Sequence, residues 1–164
     1  MIAPAMKRTD ALVVGGGIAG LQAALDLADA GHQVLVVERE ASIGGRMIAL
    51  SKVFPTLDCA SCITTPKMSA ASRHPNITLL TNTEVLGIDP AEEGLPARVR
   101  VRRNPRYVDM DLCIGCSICE HACPVEMPDG FEHGLGMTKA IKVPFTNAIP
   151  PKAVLDPDWC TGCG

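Results

Sequence analysis

The sequence predicts an α/β fold over residues 1–103 and a small cysteine-rich module over residues 104–164. Three observations predict it. The apolar run ALVV (Ala11–Val14) leads directly into GGGIAG (Gly15–Gly20). A second apolar run, Gln33–Val37, stops at the acid Glu38. Finally, residues 113–124 read CIGCSICEHACP, and a further CTGC stands at 160–163.

Composition narrows the function classes. At 164 residues, the chain has room for one ordinary domain, or part of one plus a small module. Aromatics make up 3% of it, too few for stacking on single-stranded nucleic acid. A net charge of −3 offers no attraction to phosphate backbones or an acidic membrane, so no nucleic-acid partner is expected. Lys7 and Arg8 before an apolar stretch imitate a signal peptide, but Asp10, Gln22 and Asp26 interrupt it. No other apolar run approaches the about 20 residues of a membrane span. A cytoplasmic location follows as an expectation, in which eight reduced cysteines favour metal ligation over disulfides.

Ala11–Val14 reads as a buried strand and Ile18 to about Ala30 as a helix that Gly31 terminates. Gln33–Val37 reads as the next buried strand. Strand, glycine turn, helix, strand and acid make up a Rossmann-like dinucleotide site. Gly15 permits the tight turn, Gly17 lets backbone approach a pyrophosphate, and Gly20 lets helix and strand pack closely. The helix N-terminus offers free N–H groups and partial positive charge to the phosphates. Glu38 is placed to bond a ribose diol. Ile77–Ile88 and Ala97–Val101 read as strands, with Arg98, Arg100 and Arg102 on one solvated face.

Cys113, Cys116, Cys119 and Cys123, with Pro124 next, show the CxxCxxCxxxCP spacing of bacterial ferredoxins. Three such cysteines wrap one [4Fe–4S] cluster while the fourth reaches a second. Gly115 relieves crowding so that N–H groups can face cluster sulfurs. Zinc is the alternative for CxxC pairs, but Pro124 and a second run beginning at Cys160 and Cys163 suit two interleaved clusters. Two ligands are then missing, expected three and seven positions past Cys163. No Gly-Asp return segment follows the first sheet either. Both domains therefore read as incomplete, and the chain as a C-terminally truncated piece. His121, inside a run whose four cysteine places are filled, reads as a solvated loop residue.

Beyond Glu38, the loop reaches Gly44-Gly45-Arg46, a pattern that resembles the flavoprotein disulfide reductase and amine oxidase superfamily and favours FAD over NAD. That likeness would put Glu84 and Val85 near an adenine. A more specific resemblance rests on GGGIAGLQAALDLADAGHQV, SIGGRM, FPTLDCASCITTPKM, RHPNITLLTNTEV, PRYVDMDLCIGCSICEHACPVEMP and FEHGLGMTKAI. In order over nearly the whole chain, these resemble the heterodisulfide reductase A-subunit family, the FAD and iron–sulfur subunit of that enzyme. There, a thioredoxin-reductase-like FAD domain is interrupted by an inserted two-cluster ferredoxin.

The resemblance implies that Gly15, Gly17, Gly20, Glu38, Gly45 and Arg46 hold FAD. It implies that Cys113, Cys116, Cys119, Cys123, Cys160 and Cys163 hold two 4Fe-4S clusters. It further implies electron bifurcation, fed by a hydrogenase or formate dehydrogenase adaptor and serving ferredoxin and the B and C subunits of heterodisulfide reductase. The alternative is a nicotinamide-dependent flavoprotein oxidoreductase with an accessory ferredoxin domain. No catalytic residue is assigned. Methanogen forms carry an additional N-terminal domain, whereas here the Rossmann strand begins within a dozen residues of Met1, and they often carry an aromatic where Lys142 stands.

Cys59 and Cys62 stay open between a redox pair, cluster ligands, and packed or flavin-adjacent thiols without redox duty. A redox CxxC usually begins a helix that lowers one thiol's pKa, and Thr64 and Pro66 place the expected helix start too late to act on Cys59.

Overall fold

The computed structural model describes residues 6–55, 57–90 and 97–163. Strand β1 (Ala11–Val14) runs into helix α1 (Ile18–Asp29), and β2 (Val34–Val37) returns parallel to β1. Gly31, at φ +94°, ends α1: its N–H donates to Ala28 O (3.0 Å) and that of His32 to Leu27 O (3.1 Å). These two bonds form a Schellman motif, which satisfies the last carbonyls and reverses the chain.

A single 3₁₀ turn (Met47–Ala49) and a short hairpin, β3 (Lys52–Val53) with β4 (Asp58–Cys59), lead into α2 (Ala60–Arg73). This helix corrects the expectation from sequence, starting at Ala60 and running through Pro66. Proline in a helix interior ordinarily costs about 3 kcal/mol. Here, burial of Ala60, Thr64, Met68 and Ala71 against the core opposes that cost. Tertiary packing overrides local preference.

Strand β5 (Ile77–Leu80) completes a parallel sheet in the order β1-β2-β5. Central β2 has all four residues buried, as a strand covered on both faces requires. Leu21, Ala24 and Ala28 of α1 pack with Val34, Val36, Ile43, Ile48, Met68, Ala71 and Ile77 in one core.

The expected single strand over Ile77–Ile88 is two strands. Asn82, at φ +55°, breaks it, its N–H donating to Glu40 O (2.8 Å). The chain then leaves the parallel sheet for an antiparallel hairpin of β6 (Thr83–Asp89) with β7 (Arg98–Arg103), bulged between Val85 and Gly87. The arginines of β7 are exposed, as expected, and two are also paired: Arg102 with Glu84 (2.7 Å) and Arg100 with Asp89 (3.7 Å).

The rear segment holds the five-residue helix α3 (Ile118–Ala122) and two small antiparallel pairs. These are β8 (Glu126–Pro128) with β9 (Met137–Lys139), and β10 (Ile141–Lys142) with β11 (Val154–Leu155). Phe131 stacks on Phe145 with ring centroids 4.9 Å apart, and both pack on the front core together with Ile149. No helix among the described residues is long and apolar enough to cross a membrane.

Candidate functional site

The carboxyl ends of β1 and β2 open into a cleft of about 1310 Å³, the position at which open parallel sheets bind ligands. Of the six residues expected to hold a dinucleotide, Gly15, Glu38, Gly45 and Arg46 line the cleft, while Gly17 and Gly20 stand behind it. Gly20 has a packing task. A Cβ there would lie 2.0 Å from Gly15 O, so a side chain would push the turn apart. Gly17 caps α1 without any side-chain bond, leaving the helix's first N–H groups for a ligand.

The second glycine pair does something the sequence did not disclose. Gly44 N–H donates to Gly16 O (2.8 Å), and a Cβ on Gly45, at φ +59°, would lie 2.9 Å from Gly17 Cα. The two glycine loops thus touch backbone to backbone and make one floor. Glu38 is buried. Its Oε2 accepts from Gly16 N–H (2.6 Å) and its Oε1 from Glu40 N–H (2.9 Å). Each oxygen keeps a further lone pair for a hydroxyl donor. Arg46 is exposed and has no ion-pair partner among the described residues. Glu84 and Val85 also line the cleft. The Glu84 carboxyl is held below its ordinary value by hydrogen bonds from Arg102 and Asn104. These features fit a dinucleotide: a buried carboxylate and an unpaired guanidinium line the cleft, and bare helix N–H groups follow closely on Gly15 at its edge.

In the rear segment, Asp109 Oδ1 accepts from the N–H groups of Asp111 (2.8 Å) and Leu112 (3.2 Å), turning the chain into Cys113. Cys113 Sγ accepts from Ala153 N–H at 3.4 Å. That bond, with another from the Gly115 backbone, holds its thiol below the ordinary value. Gly115 is obligatory, since it sits at φ +72° and a Cβ would meet Pro151 O at 2.3 Å. Cys160 Sγ accepts from Gly162 N–H at 3.4 Å. Cysteine thiolates are the ligands of iron–sulfur clusters, and N–H bonds to their sulfurs tune a cluster's potential. Among the described residues, however, no three of His, Cys, Asp and Glu converge closely enough to hold a metal ion. The six cysteines are free thiols, with Cys116 and Cys163 exposed and the other four half-buried. His121 is exposed, as expected, but it stands in helix α3 rather than in a loop.

One residue escaped the sequence reading altogether. Arg106, only 7% exposed, donates to Ala41 O, to Thr81 Oγ1 (2.9 Å) and to Lys152 O (3.5 Å). Burial pushes its pKa down. Lys152 Nζ in turn donates to Cys113 O (2.5 Å). Ser42 accepts from Ile149 N–H (2.8 Å), and Ile43 N–H donates to Ile149 O (3.1 Å). The charge inside Pro105-Arg106-Tyr107, between the two segments, was the available signal, yet no local pattern marks an arginine for burial.

The pyridine nucleotide-disulphide oxidoreductase family model matches residues 9–113, and the 4Fe-4S binding domain model matches residues 106–129. The chain is 50% identical over 153 residues to the A subunit of H(2):CoB-CoM heterodisulfide,ferredoxin reductase from Methanothermobacter thermautotrophicus. That match covers 93% of this chain and 23% of the relative. It is 46% identical to the A subunit of Ferredoxin/F(420)H(2)-dependent CoB-CoM heterodisulfide reductase from Methanosarcina acetivorans, covering 93% of this chain and 19% of the relative. The chain thus spans about a fifth to a quarter of the length of these relatives. Thioredoxin reductase of T. acidophilum shares the fold, with a TM-score of 0.50 and 21% identity over 58% of this chain and 31% of that one.

Proposed function

This chain belongs to the pyridine nucleotide-disulphide oxidoreductase family, and on that footing we propose that it is the FAD and iron–sulfur electron-transfer part of a heterodisulfide reductase-like complex. The bridge from the cleft through Arg106 and Lys152 to the Cys113 loop carries the reading. A buried guanidinium tied to both regions holds two redox sites at a set separation, as single-electron transfer between them requires. We divide the chain at 103/104, with the bridge spanning that boundary.

Gly15 and Gly17 would receive the FAD pyrophosphate at the start of α1, with Gly20 holding helix to turn. Glu38 would take the ribose hydroxyls on its remaining lone pairs, and Arg46 would neutralise phosphate above the floor that Gly45 completes. Cys113, Cys116 and Cys119 would share one 4Fe-4S cluster with a thiolate from a second run. Cys123, Cys160 and Cys163 would serve another. When bound, FAD accepts electron pairs and releases single electrons, which the clusters relay. The protein's contribution is position and N–H bonds to sulfur.

The relatives' names speak of heterodisulfide and ferredoxin. They support ferredoxin and further subunits of the enzyme as partners of the complete protein. To these we add the B and C subunits, a hydrogenase or formate dehydrogenase adaptor as electron source, and a cytoplasmic location. Flavin bifurcation is the reaction class proposed for that assembly.

The test is anaerobic reconstitution of the full-length protein with FAD, iron and sulfide. Flavin retained through gel filtration and a cluster signal in electron paramagnetic resonance are expected. Cys113→Ser should remove cluster signal and leave the flavin in place. Tight NAD binding without flavin would instead favour the nicotinamide-dependent oxidoreductase, and a colourless zinc protein would overturn the cluster assignment.

A further inference from the structure

Cys59 and Cys62 lie outside both proposed cofactor sites, and they are paired. Their sulfurs form a disulfide, while the six rear cysteines are free. The pair sits where β4 passes into α2: Cys59 is the N-cap of that 14-residue helix, and Cys62 lies in its first turn. Cys59 Sγ accepts from Cys62 N–H (3.2 Å) and lies 3.2 Å from Ser61 Oγ. No acidic side chain occupies the first turn to oppose negative charge there. Cys62 is exposed, whereas Cys59 is half-buried. From sequence the pair's role stayed open, the helix being expected to start too late to act on Cys59. Its start at Ala60 removes that objection.

We infer that Cys59 and Cys62 form a reversible dithiol–disulfide couple that exchanges an electron pair with an external dithiol. The order of events follows from the geometry. An external thiolate attacks the exposed Cys62 sulfur, forming a mixed disulfide there and breaking the Cys59–Cys62 bond. Cys59 leaves as a thiolate, stabilised by the Cys62 N–H, by the Ser61 hydroxyl and by the positive end of α2. A stabilised leaving thiolate speeds exchange. The second thiol of the external dithiol then attacks the mixed disulfide, releasing Cys62 and closing the external disulfide. In sum, one protein disulfide is reduced, one dithiol is oxidised, and two protons pass from donor to protein.

The inference stands independently of FAD or cluster binding, and its test does not read either. The full-length protein is equilibrated anaerobically in graded ratios of reduced to oxidised dithiothreitol and quenched in acid. The peptide carrying both cysteines is then alkylated and weighed. The expected result is one reversible two-electron transition, with the same midpoint approached from either side. With 2-mercaptoethanol as probe, acid quenching should catch the adduct on Cys62. A pair that stays oxidised in excess dithiol is structural and overturns the proposal, as does one that stays reduced in excess disulfide. Iron and zinc content decides the remaining reading. The double variant Cys59→Ser/Cys62→Ser should hold as much metal as the parent, and loss of a metal equivalent would make the pair ligands rather than a redox couple.

Discussion

The front and rear of this chain reach definite structure by different means. In front, ten hydrophobic side chains from α1, β2, α2, β5 and the loop between them form one buried cluster. Such a core holds itself together through the apolar area it removes from water. Behind residue 104, the fully buried hydrophobic residues are three alanines, Ala140, Ala148 and Ala153. The rear instead relies on left-handed glycines, N–H bonds to sulfur and packing of Phe131, Phe145 and Ile149 on the front core. Small modules with little core need such supports. Cofactor removal should therefore matter little to the front and greatly to the rear.

Gly20→Val tests that contrast hardest. With Gly15 O only 2.0 Å from the new Cβ, the turn and α1 must separate, at a cost of about 3 kcal/mol. Thermal unfolding should show loss of the front transition, with flavin binding lost as well. Gly115→Ala is the rear counterpart. It meets Pro151 O at 2.3 Å in a left-handed conformation, at a cost of about 2 kcal/mol. Iron incorporation should fail while the front transition stays in place; a front transition lowered equally would show that the two regions fold as one.

Arg106→Met probes the join itself. It removes charged donors from Ala41 O, Thr81 Oγ1 and Lys152 O, worth about 1.5 kcal/mol in net stability. Hydrogen exchange should quicken around residues 41–46 and 149–153 together, and an effect confined to one side would disprove a shared link. The smallest effect belongs to the exposed pair Arg102 and Glu84. Arg102 and Asn104 hold the Glu84 carboxyl below its ordinary 4.5. The pair therefore stabilises the fold above that value and loses its effect as pH falls through the lowered one. Arg102→Gln should move the Glu84 titration, followed by NMR, upward toward 4.5, with little change in melting temperature.

Local signals carried most of the front. An apolar quartet, a glycine turn and Gly31 were enough for β1, α1 and the helix end, because each depends on neighbours in sequence. The cysteine run was equally legible, its spacing being a chemical requirement and its matched family a 4Fe-4S binding domain. The misplacements share one cause. The start of α2 was read from Pro66, but the helix begins at Ala60, where Ala60 and Thr64 enter a core built by distant segments. The strand break at Asn82 depends on Glu40 O, more than forty residues away in sequence.

Sequence alone thus settled the kind of most elements and where their chemically able residues stand: a glycine turn before a helix, an acid at a strand end, a spaced run of thiols. Which of these meet was left to the folded chain. Folding set Gly45 against Gly17, buried Arg106 between Thr81 and Lys152, and drew Cys59 onto the end of α2. Backbone preference acts over one turn or one strand, whereas contact and burial are settled only when separate segments exclude water together.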